Sequence, residues 1–189
     1  MFRTDTTRRQ LVRALAAAAA LAVVPTVAAS TPAQAAYCGI TWGSLAKSST
    51  TMVRGPVTSV RAGTHACYDR LVVDLRGSAR PGYDVRYVSN VVTEGQGALV
   101  PLRGGAKLRI VTRAPAYDSL GRSTYRPANP KEVVSVTGFP TFRQAAWAGS
   151  FEGQSTIGLG VRARLPFRAW TYTDTSGNSH LVVDVAHRW

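Results

Sequence analysis

Along most of the chain apolar and polar residues alternate, and few windows carry the 3.6-residue spacing of a helix. From Val53 onward, short runs rich in Val, Ile, Thr, Tyr and Phe are separated by Gly, Pro, Asn and Asp, which is how strands and turns are written. The runs predict strands at Val57–Arg61, His65–Arg76, Tyr83–Val88, Ala98–Leu102, Ala106–Ala114, Glu132–Thr137, Phe142–Phe151, Thr156–Arg164, Phe167–Thr173 and His180–His187. Within Phe142–Phe151, "RQAAWAGSF" fits either period. Prolines 56, 81, 101, 127, 130, 140 and 166 fall at edges or turns, where a missing N–H costs least. "DTSGNS" (Asp174 to Ser179) has the composition of a hairpin turn. Many short strands with almost no helix predict an all-β fold, a single-domain β-sandwich of two packed sheets. "APAYDSLGRSTYRPANP" (Ala114 to Pro130) is then a surface loop, of a length that is uncommon without a purpose.

Two of the runs repeat one design. "YDRLVVDLRG" (Tyr68 to Gly77) and "SHLVVDVAHRW" (Ser179 to Trp189) each place a basic residue, an apolar run and an aspartate on one strand. With a period of two, Leu71, Val73 and Leu75 share a face, as do Leu181, Val183 and Val185. The other face carries Arg70, Val72 and Asp74, or His180, Val182 and Asp184, a single valine between a base and an acid. Such aspartates cap turn N–H groups or meet an arginine across the sheet. A catalytic pair would hold each Asp in a tight turn before Thr or Ser and Gly, whereas Leu75-Arg76 and Val185-Ala186 follow these two. Asp74 and Asp184 are therefore expected to be structural.

The first 35 residues follow different rules. Arg3, Arg8, Arg9 and Arg13 precede an apolar run from about Ala14 to Val24 and a small-residue site, Ala33-Gln34-Ala35. This is a signal peptide, too short to span a membrane. Arg8-Arg9 suggests the twin-arginine route. Cys38 follows closely, but Tyr37 stands where a lipidation signal wants a small residue. A secreted, extracytoplasmic chain starting at residue 36 is expected, with residues 36–52 as an arm and 53–189 as the domain.

Of 23 basic and 10 acidic residues, four and one lie in the leader, so the remainder carries about +10. Such an excess serves solubility or an anionic partner. For an exported protein of bacterial type the nearest polyanion is the cell wall, whereas nothing here reads as a nucleic-acid module. Nothing beyond the leader reads as a membrane span. The two cysteines, Cys38 and Cys67, most simply form one disulfide in an exporting compartment. His65 and Cys67 would share a strand face, but no third ligand is near, so no metal and no cofactor is expected. "SLAK" (Ser44 to Lys47) lacks a Lys-Thr-Gly partner, and no Gly-x-Ser-x-Gly elbow, His-Glu-x-x-His helix or phosphate loop occurs. The chain reads as non-catalytic.

Several of these pieces resemble the AMIN-like domains of secreted actinobacterial proteins. They are "YDRLVVDLRG", "GYDVRYV", "LVPLRGGAKLRIVTRAPA", "FRQAAWAGSFEGQSTIGLGVRARLPFRAW" and "HLVVDVAHRW", which together cover roughly Val53 to Trp189. The resemblance implies a non-catalytic sandwich. It further implies a targeting role, since AMIN domains attached to wall amidases and secretins direct them to peptidoglycan. Here no such enzyme or secretin domain is attached, so the target would be this chain's own, or that of a separate envelope protein whose activity it modulates.

Binding glycan strands calls for aromatic rings over C–H faces, and stem-peptide carboxylates suit the planar fork of arginine. The chain interleaves both at Tyr83, Arg86 and Tyr87, at Tyr125 and Arg126, at Trp147, and at Arg162, Arg164 and Arg168 beside Trp170. Arg162 and Arg164 would share one face of a strand, and the small residues of "GQSTIGLG" beside them would admit a ligand or another backbone. Peptidoglycan or an anionic wall polymer is the expected partner.

Overall fold

The computed structural model describes residues 36–189, and every element in it is a strand or a loop. The expected signal peptide lies outside the described residues. Thirteen strands follow in order: β1 (Ala36–Tyr37), β2 (Ile40–Thr41), β3 (Lys47–Ser49), β4 (Val57–Thr64), β5 (Tyr68–Leu75), β6 (Tyr83–Val88), β7 (Val91–Val92), β8 (Leu99–Val100), β9 (Ala106–Thr112), β10 (Phe142–Phe151), β11 (Gln154–Val161), β12 (Phe167–Thr173) and β13 (Ser179–Ala186). Two antiparallel sheets form the sandwich, one ordered β10-β11-β9-β6-β3 and the other β12-β13-β5-β4. β1–β2 and β7–β8 are small separate ribbons.

Alternation builds the core. Leu71, Val73, Leu75, Leu181, Val183, Val185 and Phe167 point inward from the four-stranded sheet. Val85, Leu108, Ile110, Ile157, Leu159 and Val161 meet them from the five-stranded sheet. Fully burying one such side chain is worth about 1.5–3 kcal/mol, which is why each face holds its register. The ambiguous "RQAAWAGSF" is strand β10, because its partner β11 is already in the sheet and pairs along almost its whole length.

Three predicted elements differ from the structure. The first hairpin turns at His65–Cys67, where the His65 N–H donates to the Tyr68 carbonyl at 2.9 Å, rather than at "RAGT". Gly63 stays inside β4 opposite Arg70, since Ala62 is needed opposite Leu71 on the core side. Glu132–Thr137 is not a strand. It runs beside edge strand β10 with isolated bonds, Val133 N–H to the Ala145 carbonyl and Trp147 N–H to the Pro130 carbonyl. Pro130 and Pro140 bracket the segment and the Glu132 N–H turns back to the Asn129 carbonyl, so its valines pack on the core without a ladder. The third difference concerns the strand of Arg162 and Arg164, which ends earlier, at Val161.

Residues 37–49 are held at several points. The Cys38–Cys67 disulfide bridges 29 residues of sequence, a closure worth about 3–4 kcal/mol in the chain-entropy account. β3 adds to the edge of β6, and Gly43 bridges to Phe167. Trp42 is 1% exposed, its indole N–H donating to the Tyr37 carbonyl. The loop at 114–130 closes one side of the sandwich: Val57 N–H donates to Pro115, Thr124 Oγ1 to the Val57 carbonyl, and Ala116 N–H to Ser150 Oγ.

Candidate binding face

Antiparallel pairing of the two repeated strands explains their charges. Because β5 and β13 run in opposite directions, the base of each meets the acid of the other, Arg70 opposite Asp184 and Asp74 opposite His180. Val72 lies opposite Val182 between them. The neighbouring strands extend these rows, with Arg168 beside Asp184, Trp170 beside Val182 and Tyr172 beside His180 on β12, and Arg61 beside Val72 on β4. The outward face of the four-stranded sheet is thus a grid of arginines, aromatic rings and paired acids.

Distances show how tightly the grid is drawn. Asp184 is fully buried and receives Arg70 Nε at 2.7 Å and Nη2 at 3.0 Å, and Arg168 Nε at 2.8 Å. The pair raises the Arg70 guanidinium further above its ordinary value, chiefly through these hydrogen bonds. The same guanidinium groups lie over rings. Arg168 sits 4.7 Å from the Trp170 centroid, 5.3 Å from Tyr68 and 5.4 Å from Trp42, and Arg70 sits 5.2 Å from both Tyr68 and Trp170. Each cation–π contact contributes roughly 0.5–2 kcal/mol according to its desolvation. Two rows along, Asp74 accepts Arg61 Nε at 2.8 Å and faces His180 Nδ1 at 2.7 Å. His180 Nε2 lies 3.0 Å from Asp174, and its ring stacks on Tyr172 at 4.7 Å. Asp174 is held below the ordinary carboxyl range, first by the Asn178 N–H and then by His180.

What this arrangement offers a ligand is flat and pre-organised. Trp170 and Tyr172 remain half-exposed, their neighbours fixed by bonds on the sheet itself. Nη1 of Arg70 and of Arg168 makes none of the hydrogen bonds above, so each arginine keeps an uncommitted donor group.

The remaining sequence candidates are scattered. Tyr83 and Tyr87 point into the sandwich: Tyr83 Oη donates to the Ala169 carbonyl at 3.0 Å, and Tyr87 Oη donates to the Leu165 carbonyl at 2.6 Å while accepting its N–H at 2.9 Å. Burial pushes the Tyr87 phenol up to about 12, and the Tyr125 phenol also to about 12. Tyr125 and Trp147 make an edge-on pair at 5.0 Å that packs on the core. Arg86 pairs with Asp84 on the outside of the five-stranded sheet, and Arg126 is exposed on the long loop. Arg162 and Arg164 are exposed but do not share a strand face. The chain leaves the sheet after Val161, where Gly104 and Gly105 press against the Val161 and Arg162 carbonyls. Arg162 then donates to the His187 carbonyl. Arg168 alone of the nine falls on the grid.

Tyr68, Arg70, Tyr172 and His180 also belong to the grid, with Trp42 buried at its edge, and none of them was a sequence candidate for binding. For Tyr172 the signal was present, because Arg168, Trp170 and Tyr172 alternate in "FRAWTYT". For Trp42 it was not, since only the bridge from Gly43 to β12 carries it there.

No group of three or more His, Cys, Asp or Glu suited to a metal occurs among the described residues. The fold is a two-sheet antiparallel sandwich whose four-stranded sheet carries a tiled outer face. The AMIN-like domain family model matches residues 55–187, and the chain belongs to that family. Its members are generally non-catalytic and cell-wall-associated. No curated protein and no solved structure matches the chain.

Proposed function

We propose that this protein is an exported, non-catalytic module that attaches to the cell wall by binding peptidoglycan through the outer face of its four-stranded sheet. The observation that supports this is the row Arg168, Trp170, Tyr172 on β12, backed by the ion pairs of Asp184 and Asp74. Sugar rings would lie against Trp170 and Tyr172, burying C–H faces on indole and phenol. The free edges of Arg70 and Arg168 would take hydroxyl, acetamido or carboxylate oxygens. Because the acids on this face already balance much of its positive charge, attraction between opposite charges is not what should hold the glycan.

Co-sedimentation with purified, polymer-stripped peptidoglycan tests the reading. Binding should survive a rise to about 0.5 M salt, which screens exposed charges beyond roughly 4 Å, and should fall at least tenfold in Trp170→Ala. Binding that vanishes in salt would reduce the interaction to nonspecific adhesion of a basic protein. Absence of binding at both salts would overturn it in favour of an envelope protein as partner.

A further inference from the structure

A cleft of about 520 Å³ opens away from the grid, between the end of β6 and the loop after β11, lined by Tyr87, Ser89, Gly104, Gly105, Lys107 and Arg164 among others. Its lining contains two cations and no carboxylate. Most arginines on the sheets are spent on acids. On the strands, Arg61, Arg70, Arg86, Arg109 and Arg168 sit in ion pairs, whereas Arg164 and Lys107, which face this cleft, sit in none among the described residues. The Arg164 guanidinium is nevertheless fixed in place, 4.8 Å over the Tyr87 ring. That ring is itself bolted by the two bonds between its hydroxyl and the Leu165 backbone. Lys107 is steadied on the facing wall by the Ser89 carbonyl at 3.1 Å and Asn90 Oδ1 at 3.3 Å.

We propose that this cleft is a binding site for a phosphate group. A positioned guanidinium whose side-chain donors make no hydrogen bond within the protein can engage two oxygens side by side. The ammonium across the cleft adds a point charge from another direction. A carboxylate presents its two oxygens in one plane and is satisfied by the guanidinium alone, while a tetrahedral phosphate presents oxygens to both walls. The two glycines let that wall of the cleft lie against the chain leaving β11, where a Cβ at either would strike the Val161 or Arg162 carbonyl. The site stands apart from the glycan face and does not rest on it.

The test is titration of the ¹⁵N-labelled protein at constant ionic strength with inorganic phosphate, with glycerophosphoglycerol as a simple phosphodiester, and with acetate. Amides of Ser89, Gly104, Gly105 and Lys107 should shift with phosphate or the diester at least fivefold more tightly than with acetate. Tighter binding of the diester assigns the site to a polymer, and tighter binding of inorganic phosphate assigns it to the free ion. Arg164→Gln and Lys107→Gln should each weaken binding at least fivefold. Arg54→Gln, which removes the same charge from an exposed residue outside the cleft, should leave it unchanged. Equal binding of acetate, no binding of either phosphate, or an equal loss in Arg54→Gln would overturn the proposal.

Discussion

The two sheets share a core but treat their outer faces in opposite ways. The five-stranded sheet hides half of its outer face under its own chain. The β7–β8 ribbon and residues 101–103 lie across β10 and β11, where Val91, Val100, Ala146 and Ala148 form a second small core. Gly158 and Gly160 make this possible, because a Cβ at Gly158 would come within 2.8 Å of Leu102 and one at Gly160 would strike the Arg103 carbonyl. The close approach that the small residues of β11 permit is thus to another backbone. The four-stranded sheet is covered by chain only at one corner, where Trp42 packs on Tyr68 and Arg168. Its central valines are 4% and 1% exposed all the same, because long neighbouring side chains, held by ion pairs and ring contacts, close over them. A face roofed by backbone is closed to partners, whereas a face roofed by side chains is flat, ordered and reachable. The comparison supports the proposal that binding uses the second.

The largest expected effect comes from removing the acid that holds the grid. Asp184→Ala leaves Arg70 and Arg168 without their common partner. Stability should fall by about 2–4 kcal/mol, below the full cost of a buried pair because both arginines are partly in water. Chemical denaturation measures it, and a loss under about 1 kcal/mol would mean the ring contacts alone hold the grid. Next comes Gly160→Ala, which should cost about 1–3 kcal/mol by forcing the 101–103 segment off β11. Gly63→Ala provides the contrast. It lies in a strand on the bare face with open space where its Cβ would stand, so the change should stay within about 0.5 kcal/mol. If the two glycine variants behaved alike, the difference between the faces would be wrong.

A smaller effect concerns pH. Burial works to raise Asp84, but Arg86 and Arg109 outweigh it, and Asp174 is lowered by the Asn178 N–H and His180, so both carboxyls titrate below their ordinary value. Such groups contribute stability above the unfolded-state value of about 4, and that contribution is lost as pH falls through the folded-state value. Melting temperature should therefore drop on acidification below about pH 4, and Asp174→Asn should flatten that drop in part. An unchanged profile in the variant would remove the turn at Asp174–Asn178 from the acid response.

Much of this was legible in the sequence. The alternation of "RLVVDL" and "HLVVDV" announced both the core and the paired outer face, since a period of two leaves no other place for those side chains. Tyr83 and Tyr87 read as ligand contacts because their hydroxyls' partners, the Ala169 and Leu165 carbonyls, lie more than 70 residues away. Glu132–Thr137 alternates like a strand, yet flanking prolines outweigh the pattern. The cleft of Arg164 and Lys107 depends on which arginines find acids, a matter of tertiary pairing that no local spacing records.

The most direct test of the binding face is to map it with a neutral ligand, which removes charge from the question. Titrating N-acetylglucosamine oligomers into the ¹⁵N-labelled protein should shift amides of β12, β13 and β5 around Arg168, Trp170 and Tyr172, and should perturb the Trp170 indole N–H most. Shifts confined to the five-stranded sheet, or none at concentrations where peptidoglycan is bound, would contradict the account.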